Sequence, residues 1–79
     1  MPYMQEVVLY FDPQDADSRA LQAFLREHGV GVVELDVRRD PALLEELAQT
    51  GSRLVPTVVV NGVAVAGFRP AVLREVLGL

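Results

Sequence analysis

Three aspartates and a serine fall within Asp12-Pro13-Gln14-Asp15-Ala16-Asp17-Ser18. Carboxylates at this density suggest a cage for a hard cation, because calcium and magnesium take oxygen ligands. The competing use is structural. Aspartates at a helix start accept hydrogen bonds from orphan amides and complement the positive end of the helix dipole, worth about 0.3–1 kcal/mol per charge. That same positive end opposes a bound cation, so the capping use is favoured and no metal is assigned. Ser18 has no neighbouring histidine to act as its base, so a serine nucleophile has little support. The single histidine, His28, falls near a helix end, where a charged imidazole is mildly favoured. No cysteine is present, which removes disulfides and thiolate metal sites.

The chain that must position these groups has 79 residues, room for one domain spanning 1–79. With 51% apolar residues and no disulfide, burial has to supply its stability. The formal charge is −4, and every basic residue is arginine. An acidic chain with scattered arginines makes a poor phosphate-binding surface, so no nucleic-acid partner is expected. No apolar run is long enough to cross a bilayer. Met-Pro-Tyr-Met-Gln-Glu lacks the basic start and apolar core of a signal peptide, so no membrane partner and a cytoplasmic location are expected.

Glu6 to Phe11 is short, β-branched and aromatic, and predicts a buried strand that Pro13 ends. Ala16 to His28 places Leu21, Phe24 and Leu25 at helical spacing, with Asp15 or Asp17 as the cap and Gly29 as the stop. Val30 to Val37 alternates less cleanly, but Val32-Val33-Glu34-Leu35 suits a second strand, joined to the first by a right-handed parallel crossover. Asp40-Pro41 supplies an N-cap and a first-turn proline for a helix striped by Leu43, Leu44 and Leu47. Two β-rich runs around Asn61-Gly62 predict a hairpin. Gly67-Phe68-Arg69-Pro70 turns into a last helix carrying Val72, Leu73, Val76 and Leu77. The expected order is β-α-β-α-β-β-α: a four-stranded mixed sheet flanked by three helices, the second strand outermost, then the first, third and fourth. This α/β layout is that of a minimal thioredoxin fold.

Laid on these elements, three motifs resemble the glutaredoxins, above all the small redoxins that serve ribonucleotide reductase. They are Pro13 to Ser18 after the first strand, Leu54-Val55-Pro56-Thr57 before the hairpin, and Ala66-Gly67-Phe68-Arg69-Pro70 before the last helix. The resemblance runs from about Val7 to Leu77. It implies that Asp15 stands where the family has its nucleophilic cysteine and Ser18 where it has the resolving one. A carboxylate and an unactivated hydroxyl cannot carry out thiol–disulfide exchange, so no catalytic residue and no cofactor is assigned. The resemblance also implies a cis bond before Pro56 and a groove where the main chain of Val55 pairs with an extended ligand. Asp12, Asp15, Ser18, Arg53, Val55, Pro56, Gly67, Phe68 and Arg69 are the expected groove residues.

Glutathione is a disfavoured ligand, because Asp12 replaces a frequent family lysine and Asp15 adds a second negative charge. Two unit charges ~5 Å apart at an effective dielectric of ~20 repel by roughly 3 kcal/mol before screening. Arg53 is the expected partial offset. Phe68 suits the core, and Arg69 suits either a partner contact or a sheet-end cap. The favoured function is therefore a redox-inactive module that binds a protein or peptide segment. The alternative is a residual glutathione- or thiol-linked oxidoreductase or transferase that uses its substrate's thiol. An acid-cluster metal module and a domain that only dimerises are the other readings.

Overall fold

The computed structural model describes residues 5–79, so the start of the segment read for a signal peptide lies outside the described residues. In chain order the elements are β1 (Val7–Phe11), α1 (Ala16–Glu27), β2 (Val33–Asp36), α2 (Leu43–Ala48), β3 (Thr57–Val60), β4 (Val63–Ala66) and α3 (Pro70–Leu77). They form the expected thioredoxin-like sheet in the order β2-β1-β3-β4. β1 pairs parallel with β2, Phe11 facing Asp36. It pairs antiparallel with β3, Tyr10 facing Thr57, and β3 pairs antiparallel with β4, Thr57 facing Ala66.

Strand side chains alternate between faces, and this splits the core in two. Val7 and Leu9 of β1, with Val58, Val60 and Val65, meet Leu21, Phe24 and Leu25 of α1 and Leu73 and Leu77 of α3. The intervening Tyr10 points the other way and packs with Val37 and with Leu47 of α2. The α1 residues meet the sheet because three- and four-residue spacing puts them on one face. The hairpin turn needs positive φ at both central positions, and Asn61 (50°) and Gly62 (86°) supply it. Asn61 also bonds back to β1: its Oδ1 accepts from the Glu6 N–H at 2.9 Å.

α2 is shorter than its sequence pattern predicts. Regular α-helix begins at Leu43, not at Pro41. Asp40 and Pro41 instead form a tight lead-in turn, whose carbonyls accept from the N–H groups of Leu43 and Leu44, each at 3.0 Å. The Asp40 carboxylate caps that turn through the Ala42 N–H at 3.2 Å. β2 is Val33–Asp36, one residue further along than the expected Val32–Leu35, because these are the residues that face β1 across the parallel ladder. Among the described residues no helix is long and apolar enough to cross a membrane.

Candidate functional site

The carboxyl ends of β1 and β2 lie at one end of the sheet, together with the start of β3 and the end of β4. All nine expected groove residues belong to the segments that meet there. Asp15 takes the N-cap of α1. Its backbone is extended, and Oδ2 accepts the Ser18 N–H at 2.8 Å. Asp17 stays exposed in the first turn. The choice between the two caps follows from geometry, since a cap side chain must precede the helix to fold back on its amides.

Ser18 does not line the groove surface. It is fully buried, and its Oγ accepts the Asp12 N–H at 3.1 Å. The hydroxyl braces the turn between β1 and α1 from beneath. The turn is closed on itself: the Asp15 N–H donates to the Asp12 carbonyl at 3.0 Å, and the Gln14 N–H donates to Asp12 Oδ1 at 2.8 Å. Asp12 and Asp15 are thus committed to backbone donors at separate points. Among the described residues no group of three or more His, Cys, Asp or Glu is placed to hold a metal.

Arg38, absent from the expected site, is its main counter-ion. Nε donates to Asp12 Oδ1 at 3.0 Å and Nη2 to Asp12 Oδ2 at 3.1 Å. This fork-on-fork contact is the strong form of a guanidinium–carboxylate pair. Asp36 aims it: Oδ1 accepts the N–H groups of Arg38 at 2.9 Å and Arg39 at 3.1 Å, turning the chain just past β2. The Arg38 hydrogen bonds, then the Gln14 amide, hold the Asp12 carboxyl below its ordinary pKa. The same pairing raises that of Arg38. Arg38 thus offsets Asp12 directly, and an anionic ligand there would meet a smaller repulsion than from a free carboxylate. Sequence could have flagged Arg38 only through its place just beyond β2, next to the end of β1.

Across the sheet, the Val55–Pro56 bond is cis and Pro56 is buried. The Pro56 carbonyl accepts the Gly67 N–H at 2.7 Å, which ties the approach to β3 to the end of β4. A second group missed in the sequence holds the segment before it. The buried Thr57 hydroxyl donates to the Leu54 carbonyl at 2.6 Å and receives the Ser52 hydroxyl at 2.8 Å. Ser52 Oγ also accepts the Leu54 N–H at 3.2 Å. With its neighbours fixed, Val55 is left half-buried. Among the described residues its N–H and C=O have no hydrogen-bond partner.

Phe68 is partly buried and packs on the larger core. Its ring meets Phe24 edge to face, with centroids 6.1 Å apart. Arg69 is exposed, and its carbonyl receives the Leu73 N–H at 3.0 Å to start α3. Arg53 is exposed as well. A recess of about 440 Å³ lies at the other end of β1, lined by Glu6, Val7 and Val32 among others, remote from this groove.

The glutaredoxin family profile matches residues 7–65, which take in β1, the cis proline and the hairpin. The chain belongs to the glutaredoxin family. Two curated glutaredoxin-like proteins named NrdH, from Lactococcus lactis subsp. cremoris strain MG1363 and subsp. lactis strain IL1403, are each 25% identical over 69 residues, covering 87% of this chain and 96% of theirs. The crystal structure of the thioredoxin-like protein BC3987 superposes with a TM-score of 0.84 at 30% identity, over 90% of this chain and 99% of that one. The NrdH-redoxin of Escherichia coli shares the fold, with a TM-score of 0.78 at 23% identity over 89% of this chain and 92% of its own. This glutaredoxin contains no cysteine. Thiol–disulfide exchange requires an attacking thiolate, and its own side chains offer none.

Proposed function

We propose that this glutaredoxin-family chain is a redox-inactive module that binds an extended protein or peptide segment along Val55. The observation that carries this reading is the unpaired Val55 main chain beside the cis proline. A main-chain donor and acceptor without partners, between hydrogen-bonded neighbours, suit strand addition, where the ligand's backbone supplies the missing hydrogen bonds. Such binding needs no sulfur. The capped Asp15 and buried Ser18 support a structural use of the helix start rather than a reacting one. The Asp12–Arg38 pair, exposed at the sheet end, gives the groove a polar rim.

The test is an NMR titration of the labelled protein with a library of extended hexapeptides. A binding peptide shifts the Val55 amide, slows its hydrogen exchange, and loses affinity on Phe68→Ala. Binding that leaves the Val55 amide unmoved overturns the assignment. A parallel assay with glutathione-mixed disulfides tests the thiol-linked alternative. Turnover above background by the folded protein would replace the binding reading with an enzymatic one.

A further inference from the structure

The sheet has two edges, β2 and β4. An edge strand offers unpaired main-chain groups to any strand that fits, and proteins guard such edges with charge, proline or a bulge. β2 is guarded. Its sequence, Val33-Glu34-Leu35-Asp36, carries two acids, and a second β2 laid antiparallel against it would set like charges side by side. β4 has none of these guards. From Gly62 to Gly67 no residue is charged and none is proline, and the one-to-one register with β3 has no bulge.

The free groups of β4 follow from the hairpin. A two-residue turn makes its flanking residues, Val60 and Val63, a hydrogen-bonded pair, and such pairs alternate along an antiparallel ladder. Val63 and Val65 therefore turn their main chain toward β3. Gly67 continues the alternation, its N–H donating to the Pro56 carbonyl at 2.7 Å. Ala64 and Ala66 turn their N–H and C=O groups to the open edge, where among the described residues they meet no partner. Their side chains are too small to obstruct an incoming strand, and Val63 beside them is 56% exposed.

We propose that β4 is a self-association edge, on which two copies of this chain pair antiparallel about a two-fold axis and join their four-stranded sheets into one. The strand is complementary to itself. With Val65 on the axis, Ala64 of each copy faces Ala66 of the other, outward groups against outward groups, and both pairs exchange two hydrogen bonds. Charge selects a second copy over a foreign strand. Antiparallel pairing sets the end of one β4 beside the start of the other. Arg69, exposed just past the end of β4, then comes alongside the Asn61-Gly62 turn of the second copy. Glu6 is exposed at that turn, its N–H bonded to Asn61 Oδ1 at 2.9 Å and its carbonyl to the Asn61 N–H at 2.8 Å. The axis makes the Arg69–Glu6 contact twice. A neutral strand would gain the main-chain bonds without it. The short edge keeps the interface small, so the dimer is weak and fills only at high protein concentration.

Sedimentation equilibrium of the full chain from about 10 µM to about 1 mM tests this. The mass should rise from one chain toward two and no further, with hydrogen exchange at the Ala64 and Ala66 amides slowing over the same range. Ala64→Pro removes an outward N–H and leaves the bonds to β3, a place where an edge strand accepts proline. Checked for folding by circular dichroism, it should stay monomeric. Val63→Lys adds a charge at an exposed edge position and should do the same, whether or not the proline variant folds. Arg69→Glu should weaken the dimer, and Glu6→Arg added to it should restore it. A single chain mass throughout, or a dimer that persists in folded Val63→Lys, overturns the proposal. Growth past two copies overturns it as well, since a two-fold pair is closed. Equal dimerisation of the parent and Arg69→Glu overturns the antiparallel placement.

Discussion

Replacing Asp15 and Ser18 together by cysteine asks whether this fold still presents a redox site and lacks only sulfur. The structure sets the cost. Asp15→Cys removes the carboxylate that accepts the Ser18 N–H at 2.8 Å, and loss of a good N-cap costs about 1 kcal/mol. Ser18→Cys exchanges a fully buried hydroxyl that accepts the Asp12 N–H at 3.1 Å for a weak sulfur acceptor, costing about another 1 kcal/mol. The reduced double variant should therefore lose about 2 kcal/mol. For a domain of this size that lowers Tm by about 8–16 °C. Oxidation closes a four-residue loop and returns about 2 kcal/mol by the chain-entropy relation. The residue 15 thiol would lie half-exposed at the amino end of α1, where the helix dipole favours thiolate. Disulfide reductase assays and melting curves in both redox states follow both effects. A folded variant with two titratable thiols but no activity above the parent would refute the redoxin geometry. A reduced variant as stable as the parent would refute the capping argument.

Arg38→Gln should raise the Asp12 carboxyl toward its ordinary pKa, read from side-chain carboxyl NMR shifts across a pH series. The folded-state pKa is lowered in the parent, so the stability tied to this ionisation is present at neutral pH and is lost as pH falls through the folded pKa. The stability gap between parent and variant should accordingly close in acid. Identical Asp12 titration curves in the two proteins would count against the pairing. Thr57→Val removes a buried hydroxyl that donates to the Leu54 carbonyl and accepts from Ser52. It should cost about 1–3 kcal/mol in urea denaturation and speed hydrogen exchange at Leu54, whose N–H is held by Ser52 Oγ. A loss confined to exchange, with unchanged global stability, would show that the hydroxyl orders only the loop.

Much of this protein could be read before any coordinate. The short β-branched and aromatic run from Glu6 to Phe11, the spacing of Leu21, Phe24 and Leu25, and Asn61-Gly62 are local patterns, and each corresponds to a local conformation. The crossover rule turned those elements into the strand order. The absence of cysteine settled what chemistry its side chains cannot do, since no fold can supply an atom the sequence lacks. Tertiary structure decided the pairings at the sheet end. Arg38 meets Asp12, 26 positions away, because parallel strands bring their carboxyl ends side by side. Ser18 is buried because it shares the sheet-facing side of α1 with Leu21 and Leu25, whereas Asp15 precedes the helix as its cap. Arg39, Arg53 and Arg69 share one end because alternating strand directions return distant segments to the same side of the sheet. Such neighbourhoods have no period along the chain, so charge placement is decided only when the sheet closes.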